Sequence, residues 1–339
     1  MRAWTERTER INTHGVFRFR ISCYCRMKSA FLEFALAKTG ITPSLALAMC
    51  ILASSCASRA ALRADARYEP YENLLEIVSD LQRHANDNTY RFPSPRDPSG
   101  QNLYKASLIR LLNFEKIYPR RMPDVVDFSK GICMERLHDY AGALKAFKHV
   151  TESDSPLREQ ASSKMAILEK FNDLANYRIE KNNVGDYLTE LEFKLDAWGK
   201  LIGEVTGTPY EWLAREDEEK VEQHLAEFVA QNYLVIQNGV ESALNLYRQL
   251  TIKHAQGKNI NLHYLNWADF CALLSRRYAQ EADPRSLGFD METFNKTADA
   301  AIRLYSLVAQ KDGATEKVEA LGKLQAFNAF VAKIQDESE

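Results

Sequence analysis

The sequence predicts an all-α protein built from antiparallel helical hairpins, and three observations support that fold class. Apolar residues recur at the spacing that places them on one helix face, as at Leu74, Ile77 and Leu81. Glycine and proline number only 14 and 10 in 339 residues, and they fall mainly at the boundaries between apolar stripes. No segment shows sustained alternation of apolar and polar residues between hairpin turns, so we expect no β-sheet.

The predicted helices follow one another with mostly short connections. The first begins at Pro70, because proline favours the first turn of a helix. Residues 86–101 are proline-rich and form the longest predicted loop, whose aromatic part either docks on a partner in an extended form or packs as an ordinary loop. Pro119 and Pro123 end the second helix and start the third. After the first, helices are predicted at 103–118, 122–137, 139–152, 157–178, 185–205, 210–236, 239–254, 260–280, 290–310 and 314–335.

The clearest internal motif lies between the third and fourth predicted helices. Gly131 in one helix is followed in the next by Tyr140, Ala143, Phe147 and Val150. This order resembles the tetratricopeptide repeat, in which small residues let two antiparallel helices touch and large ones fill the space to the next hairpin. The resemblance implies a right-handed solenoid of hairpins, in degenerate form because the tryptophan position of the repeat's first helix has no aromatic counterpart here.

Two weaker copies of the motif follow. Ala243 and Tyr247 repeat the spacing of the small and the aromatic residue, and Ala301 and Tyr305 repeat it again. Their separations do not fit a regular repeat of about 34 residues, so an array would be interrupted. The alternative is that this spacing is common to amphipathic helices in general, because residues four apart share a helix face.

The N-terminal region has the layout of a cleavable leader. An uncharged apolar run from Leu45 to Ala53 has the length of a signal-peptide core and is too short to span a membrane. Small residues then lead to Cys56, in an Ala-Ser-Ser-Cys tetrapeptide that resembles the lipobox of bacterial lipoproteins. The resemblance implies that Cys56 becomes the first residue of the mature chain and carries lipid. A plain secretory signal, an uncleaved anchor and an ordinary cysteine in an N-terminal helix are the alternatives.

These features divide the chain into four parts. Residues 1–26 are predicted to be a non-native or disordered extension, because translation from Met27 would give a leader of ordinary length. Residues 27–56 form the predicted signal peptide. Residues 57–101 form a tether with one helix and the proline-rich loop, and residues 102–339 form the helical repeat domain.

Charge and cysteine content argue against two classes of protein, nucleic-acid-binding proteins and disulfide scaffolds. The whole chain has a formal net charge of −2, but basic residues concentrate before Cys56. The remainder is therefore acidic and lacks the basic footprint of a nucleic-acid-binding protein, so no nucleic-acid partner is predicted. The cysteines after Cys56 are Cys133 and Cys271, too few for a disulfide scaffold. We expect two separate buried thiols, with a single bridge between them as the alternative.

No residue set predicts a reaction. The sequence contains no phosphate-binding glycine loop, no Cys-x2-Cys pair and no clustered histidines, so no catalytic residue, metal site or cofactor is predicted. The acidic run 216–219 is expected to be a solvated helix start, because carboxylates favour the first turn of a helix. His138 is expected at the surface in a turn. Trp198 continues an apolar stripe and is expected in the core, whereas Trp212 is expected to be exposed.

Without a reaction in view, the predicted function is protein interaction. We expect a lipid-anchored scaffold or adaptor of the bacterial cell envelope, on the outer membrane facing the periplasm. It would bind a protein or peptide partner through its helical solenoid. An accessory lipoprotein of outer-membrane assembly or of a secretion system is the first alternative, and an enzyme with no recognisable motif is the second.

Overall fold

The computed structural model describes residues 69–85, 101–180 and 183–338. Within these ranges the chain forms eleven α-helices and no β-strand, which confirms the predicted all-α class. The predicted signal peptide, Cys56 and residues 86–100 of the proline-rich loop lie outside the described residues. The helices are α1 (Pro70–Ala85), α2 (Asn102–Ile117), α3 (Pro123–Arg136), α4 (Tyr140–Glu152), α5 (Arg158–Asn176), α6 (Val184–Val205), α7 (Glu211–Gln231), α8 (Gly239–Lys253), α9 (Ile260–Ala282), α10 (Met291–Ala309) and α11 (Lys317–Ser338).

Each predicted helix has a counterpart, and the sequence explains where several of them begin. The side chain of Asp139 caps α4 by accepting a hydrogen bond from the backbone nitrogen of Gly142 at 2.9 Å. Asn183 caps α6 in the same way, accepting from the backbone nitrogen of Asp186 at 2.7 Å. Such side-chain acceptors satisfy backbone N–H groups that have no partner in the first turn of a helix. Short polar residues therefore set the starts of α4 and α6.

The connection after α7 differs from the prediction. The helix was expected to continue to residue 236, and it ends at Gln231. The chain then turns so tightly that a Cβ at residue 239 would lie 2.3 Å from the backbone oxygen of Tyr233. Only glycine fits this close approach, and Gly239 starts the next helix. Leu234 and Val235 lie in the turn, with 66% and 74% of their surfaces exposed.

The helices pack mainly on their neighbours in sequence, an arrangement consistent with stacked hairpins. α3 packs on α4 and α4 on α5; α6 packs on α7 and α7 on α8; α9 packs on α10 and α10 on α11. Buried apolar clusters lie between these successive helices, and their largest fully buried side chains include Trp198, Phe147 and Phe294. Burial of such side chains is the main favourable contribution to this fold.

Candidate functional site

An acidic run on α7 is buried rather than solvated. Asp217, Glu218 and Glu219 are each no more than 7% exposed, so the prediction of a solvated helix start for 216–219 was wrong. The helix begins earlier, at Glu211, which places the run inside α7 instead of in its first turn. Buried carboxylates require charged or hydrogen-bonding partners. Here histidines and lysines supply them, from other elements and, in the case of Lys220, from α7 itself.

Three donors surround the carboxylate of Asp217. The hydroxyl of Tyr140 donates a hydrogen bond to it, Lys220 Nζ lies 2.6 Å from Oδ1, and His138 Nδ1 lies 2.9 Å from Oδ1. Burial alone would raise the pKa of Asp217. The hydrogen bond and charge of His138, together with Lys220, outweigh burial and lower the pKa to about 2.

His138 is enclosed between two carboxylates, so its prediction as a surface residue was wrong. Its side chain is 11% exposed, and its Nε2 lies 3.1 Å from Oε2 of Glu216 while Nδ1 faces Asp217. It does lie in the turn between α3 and α4, where it adopts a left-handed φ of 61°. Burial by itself would lower the pKa of His138, but the hydrogen bonds to Asp217 and Glu216 outweigh burial and raise it.

A second group of ion pairs lies further along α7. Nε2 of the fully buried His263 is 2.6 Å from Oε1 of Glu219. Nε2 of His254 is 2.5 Å from Oε2 of Glu222, and Lys253 Nζ is 2.6 Å from Oε1 of the same carboxylate. These three side chains belong to the end of α8 and the start of α9.

Together, four residues form what we call the acidic face of α7: Glu216, Asp217, Glu219 and Glu222. Each carboxylate of this face has a histidine or lysine partner, and the pKa is lowered at Glu216, Asp217 and Glu222. Catalytic general acids need the opposite shift at neutral pH. In the described part of the chain, no three His, Cys, Asp or Glu side chains are arranged to hold a metal ion. The contacts of the acidic face tie α7 to the elements packed around it.

A surface groove of about 790 Å³ lies between the α7–α8 connection, α8, α9 and α10, and we call it the α8 groove. Leu234, Val240 and Leu244 line it, and Leu234 is two-thirds exposed. The indole of Trp267 also lines the groove, and its Nε1 is buried without a hydrogen-bond acceptor in the ranges that the structure describes. An exposed apolar patch of this kind is typical of an interaction surface.

Polar side chains lie around the apolar part of the α8 groove. Asn245, Arg248, Lys296 and Glu241 line it. No carboxylate among the described residues forms an ion pair with Arg248 or Lys296, in contrast to the lysines around the acidic face. Two cations face one carboxylate, so the α8 groove carries a net positive charge.

The residues predicted to pack the repeat lie inside the apolar clusters. A Cβ at Gly131 would lie 2.6 Å from Cε1 of Phe147, so α3 and α4 touch at this point. Tyr140, Ala143, Phe147 and Val150 share one cluster with residues of α5, α6 and α7. The remaining four lie in two other clusters: Ala243 and Tyr247 pack between α7, α8 and α9, and Ala301 and Tyr305 pack between α9, α10 and α11.

The burial of two tryptophans and two cysteines tests the predictions made for them. Trp198 is in the core, as predicted, and Trp212 is 40% exposed, also as predicted. Cys133 and Cys271 are separate buried thiols, which confirms the interpretation without a bridge. Burial raises the pKa of each thiol to about 12, so both stay protonated at neutral pH.

The α8 groove was not predicted from the sequence. Its one local signal is the apolar run Leu234-Val235-Ile236, which was assigned to the end of a helix. A helix continuing to residue 236 would have given these side chains a helical face to pack on. The break at Gln231 exposes Leu234 and Val235 instead.

Comparison with known proteins assigns no family to this fold. No protein-family model matches the chain, and no curated protein matches it. None of the helices in the described ranges is long and apolar enough to cross a membrane. The class defined by the structure is thus an all-α protein of helices packed mainly on their chain neighbours.

Proposed function

We propose that this protein is a lipid-anchored interaction scaffold of the bacterial cell envelope and that it binds a partner protein through the α8 groove. One observation carries the proposal: the groove combines exposed apolar side chains with cations that have no carboxylate partner among the described residues. The partner segment that fits has one or two apolar side chains next to an acidic residue. Its apolar side chains would cover Leu234 and Val240, and its carboxylate would pair with Arg248 or Lys296.

The apolar half of this interaction supplies most of its free energy. Exposed apolar surface gains about 25 cal/mol for each Å² removed from water. Interfaces have such an apolar centre with a polar rim, and arginine is over-represented in them.

The hairpin packing supports the finer assignment to a degenerate, tetratricopeptide-like solenoid. Consecutive helices contact one another, and the small residue Gly131 lies where α3 and α4 touch, against Phe147. Arrays of this kind bury each apolar face on the next hairpin and leave one side for partners. The proposed solenoid is right-handed and interrupted, because the motifs at Ala243 and Ala301 do not follow a fixed period.

The proposed anchor is lipid on Cys56, with the signal peptide removed before it. This part of the proposal rests on the apolar run and the small residues that precede the cysteine. Intact mass of the protein extracted from membranes tests it. We expect a chain that begins at Cys56 and carries added acyl mass, and a chain that begins at Met1 without added mass would contradict the anchor.

Site-specific crosslinking in cells tests the groove. A photoreactive amino acid at position 234 should capture a distinct partner, and the same amino acid at position 75 is the control. Leu75 is matched in exposure, at 62% against 66%, but it lies on α1, outside the groove. Arg248→Glu and Lys296→Glu, introduced together, should abolish the capture at 234, because both would repel an acidic segment. Capture of the same proteins at 234 and 75 would contradict the proposal.

A further inference from the structure

A second pocket, of about 410 Å³, lies between α6 and α7 and does not involve the α8 groove. Helix α6 contributes four lining residues: Tyr187, Leu191, Lys194 and Trp198. Their spacing of four, three and four residues places them on one face of the helix. The α7 side is built in the same way, from Asp217, Lys220, Val221 and His224.

Trp198 forms part of the wall of this α6–α7 pocket. Its side chain is 1% exposed, and its Nε1 is buried with no acceptor among the residues that the structure describes. The aromatic ring itself is well packed, edge-on to Phe171 with 5.6 Å between the ring centroids. The packed indole therefore gives the pocket a fixed aromatic wall.

Lys194 lies one helical turn from Trp198 and is also incompletely satisfied. Its Nζ donates to the backbone oxygen of Tyr177 at 3.1 Å, and it forms no ion pair in the described part of the chain. Burial lowers the pKa of Lys194, although the charge of Asp217 acts in the opposite direction. A partly buried ammonium that has only a carbonyl acceptor would gain a charge-assisted hydrogen bond from an anion.

Asp217, the carboxylate that lines the pocket, does not act as the acceptor for Lys194. Asp217 is engaged by Tyr140, His138 and Lys220, as described for the acidic face of α7. His224 also lines the pocket, and its Nε2 lies 3.0 Å from the hydroxyl of Tyr187. Lys194 and Lys220 together outweigh Asp217, so the pocket attracts an anion.

The other walls of the pocket are aromatic and aliphatic. Tyr177, Tyr187 and Leu191 line it, and Ile179 and Val221 complete the apolar part. Pockets of about 300–1,000 Å³ with apolar walls and a few convergent polar groups are the usual form of small-molecule sites. Charge and shape together indicate an anion with an apolar body.

We propose that the α6–α7 pocket binds a small organic carboxylate. Its carboxylate would accept a charge-assisted hydrogen bond from Lys194 Nζ, and its apolar part would pack between Tyr187 and Leu191. This site is independent of the protein-binding function of the α8 groove, and either can fail without the other.

Calorimetric titration of the mature protein with three probes tests the site: 3-phenylpropionate, indole-3-acetate and octanoate. We expect saturable binding of at least one probe at micromolar to millimolar concentration. We also expect the matching uncharged amide to bind about tenfold more weakly or worse, because it lacks the charge-assisted hydrogen bond. The absence of saturable binding by all three carboxylates, or equal binding of acid and amide, would overturn the proposal.

Two variants on α6 test whether Lys194 holds the carboxylate of the ligand. Lys194→Met should weaken the best probe about tenfold or more, because it removes the ammonium and keeps the aliphatic stem. Lys200→Met is the matched control, since Lys200 is on the same helix, is exposed and pairs with Asp196. The indole N–H signal of Trp198, in the pocket wall, should move on titration with the best probe. Equal affinity in Lys194→Met and Lys200→Met would overturn the site.

Discussion

The hydroxyl of Tyr140, at the start of α4, donates a hydrogen bond to the buried carboxylate of Asp217 in α7. Tyr305 does the same in the C-terminal part, where its hydroxyl donates to Oδ1 of Asp269 at 2.6 Å. Both tyrosines occupy the aromatic positions that were assigned to packing. Their rings fill apolar clusters, and their hydroxyls bind acidic residues on other helices. These tyrosines therefore connect the apolar clusters to the ion-pair networks.

Removing the Tyr140 hydroxyl should destabilise the fold. Tyr140→Phe keeps the ring and takes one donor from a buried carboxylate, so we expect a loss of about 1.5–3 kcal/mol in the free energy of unfolding. Urea denaturation followed by circular dichroism measures it. Tyr177→Phe is the control, because its hydroxyl binds Glu190 at the surface and its loss should change stability by less than about 0.5 kcal/mol. Equal losses of unfolding free energy in the two variants would show that the hydrogen bond from Tyr140 to Asp217 does not stabilise the fold.

Asp217 should make the free energy of unfolding depend on pH in the acidic range. Its folded pKa is lowered from 3.8 to about 2, so the unfolded chain binds a proton more readily than the folded one. Its contribution, about 2 kcal/mol, is therefore present above about pH 4 and is lost as the pH falls towards 2. Unfolding free energies of the native chain and of Asp217→Asn, measured over this range, should converge on acidification. A constant difference between them would contradict the prediction.

His138 should give the opposite dependence at higher pH. Its folded pKa is raised above 6.5, so the folded state binds the proton more tightly than the unfolded state does. The stability that it contributes is present below about pH 6.5 and is lost as the pH rises through the folded pKa. Glu216, Asp217 and Lys220 are the charged groups that act on it.

A substitution at this position isolates that effect. His138→Asn preserves the left-handed backbone, which asparagine tolerates, and removes the titrating ring. We expect the stability advantage of the native chain over this variant to shrink as the pH rises from about 6 to about 9. An advantage that stays constant or grows over this range would show that His138 is not held in its charged form.

The helices could be predicted because their signals are local. Apolar spacing, prolines at helix starts and capping residues such as Asp139 all act within a few positions of the helix that they define. The predicted end of α7 at residue 236 was wrong because the break after Gln231 depends on the close approach of Gly239 to Tyr233. Nothing within the helical pattern itself indicated that contact.

The burial of Asp217, Glu218 and Glu219 in the acidic run of α7 could not be predicted from the run itself. A run of four carboxylates is usually solvated, since an unpaired buried charge is strongly unfavourable. Here His138 and His263 reach the run from elements before and after it in the chain. Only the tertiary packing brings these partners together, so neither the burial of Glu219 nor that of His138 has a local signal. The α6–α7 pocket depends on the same packing.

Close contact between α3 and α4 gives the last prediction. Gly131→Ala would place a Cβ 2.6 Å from the Phe147 ring, and the fully buried ring has little room to move. Overpacking of this kind costs about 1–3 kcal/mol, which should exceed the gain from replacing a helical glycine by alanine. Gly203→Ala is the matched control: it lies inside α6 with nothing within 4 Å, so we expect it to stabilise the protein by up to about 1 kcal/mol. Thermal and urea denaturation of both variants should give opposite signs, and Phe147→Leu should restore part of the loss in Gly131→Ala. Stabilisation by both alanines would mean that α3 and α4 are not in contact at Gly131.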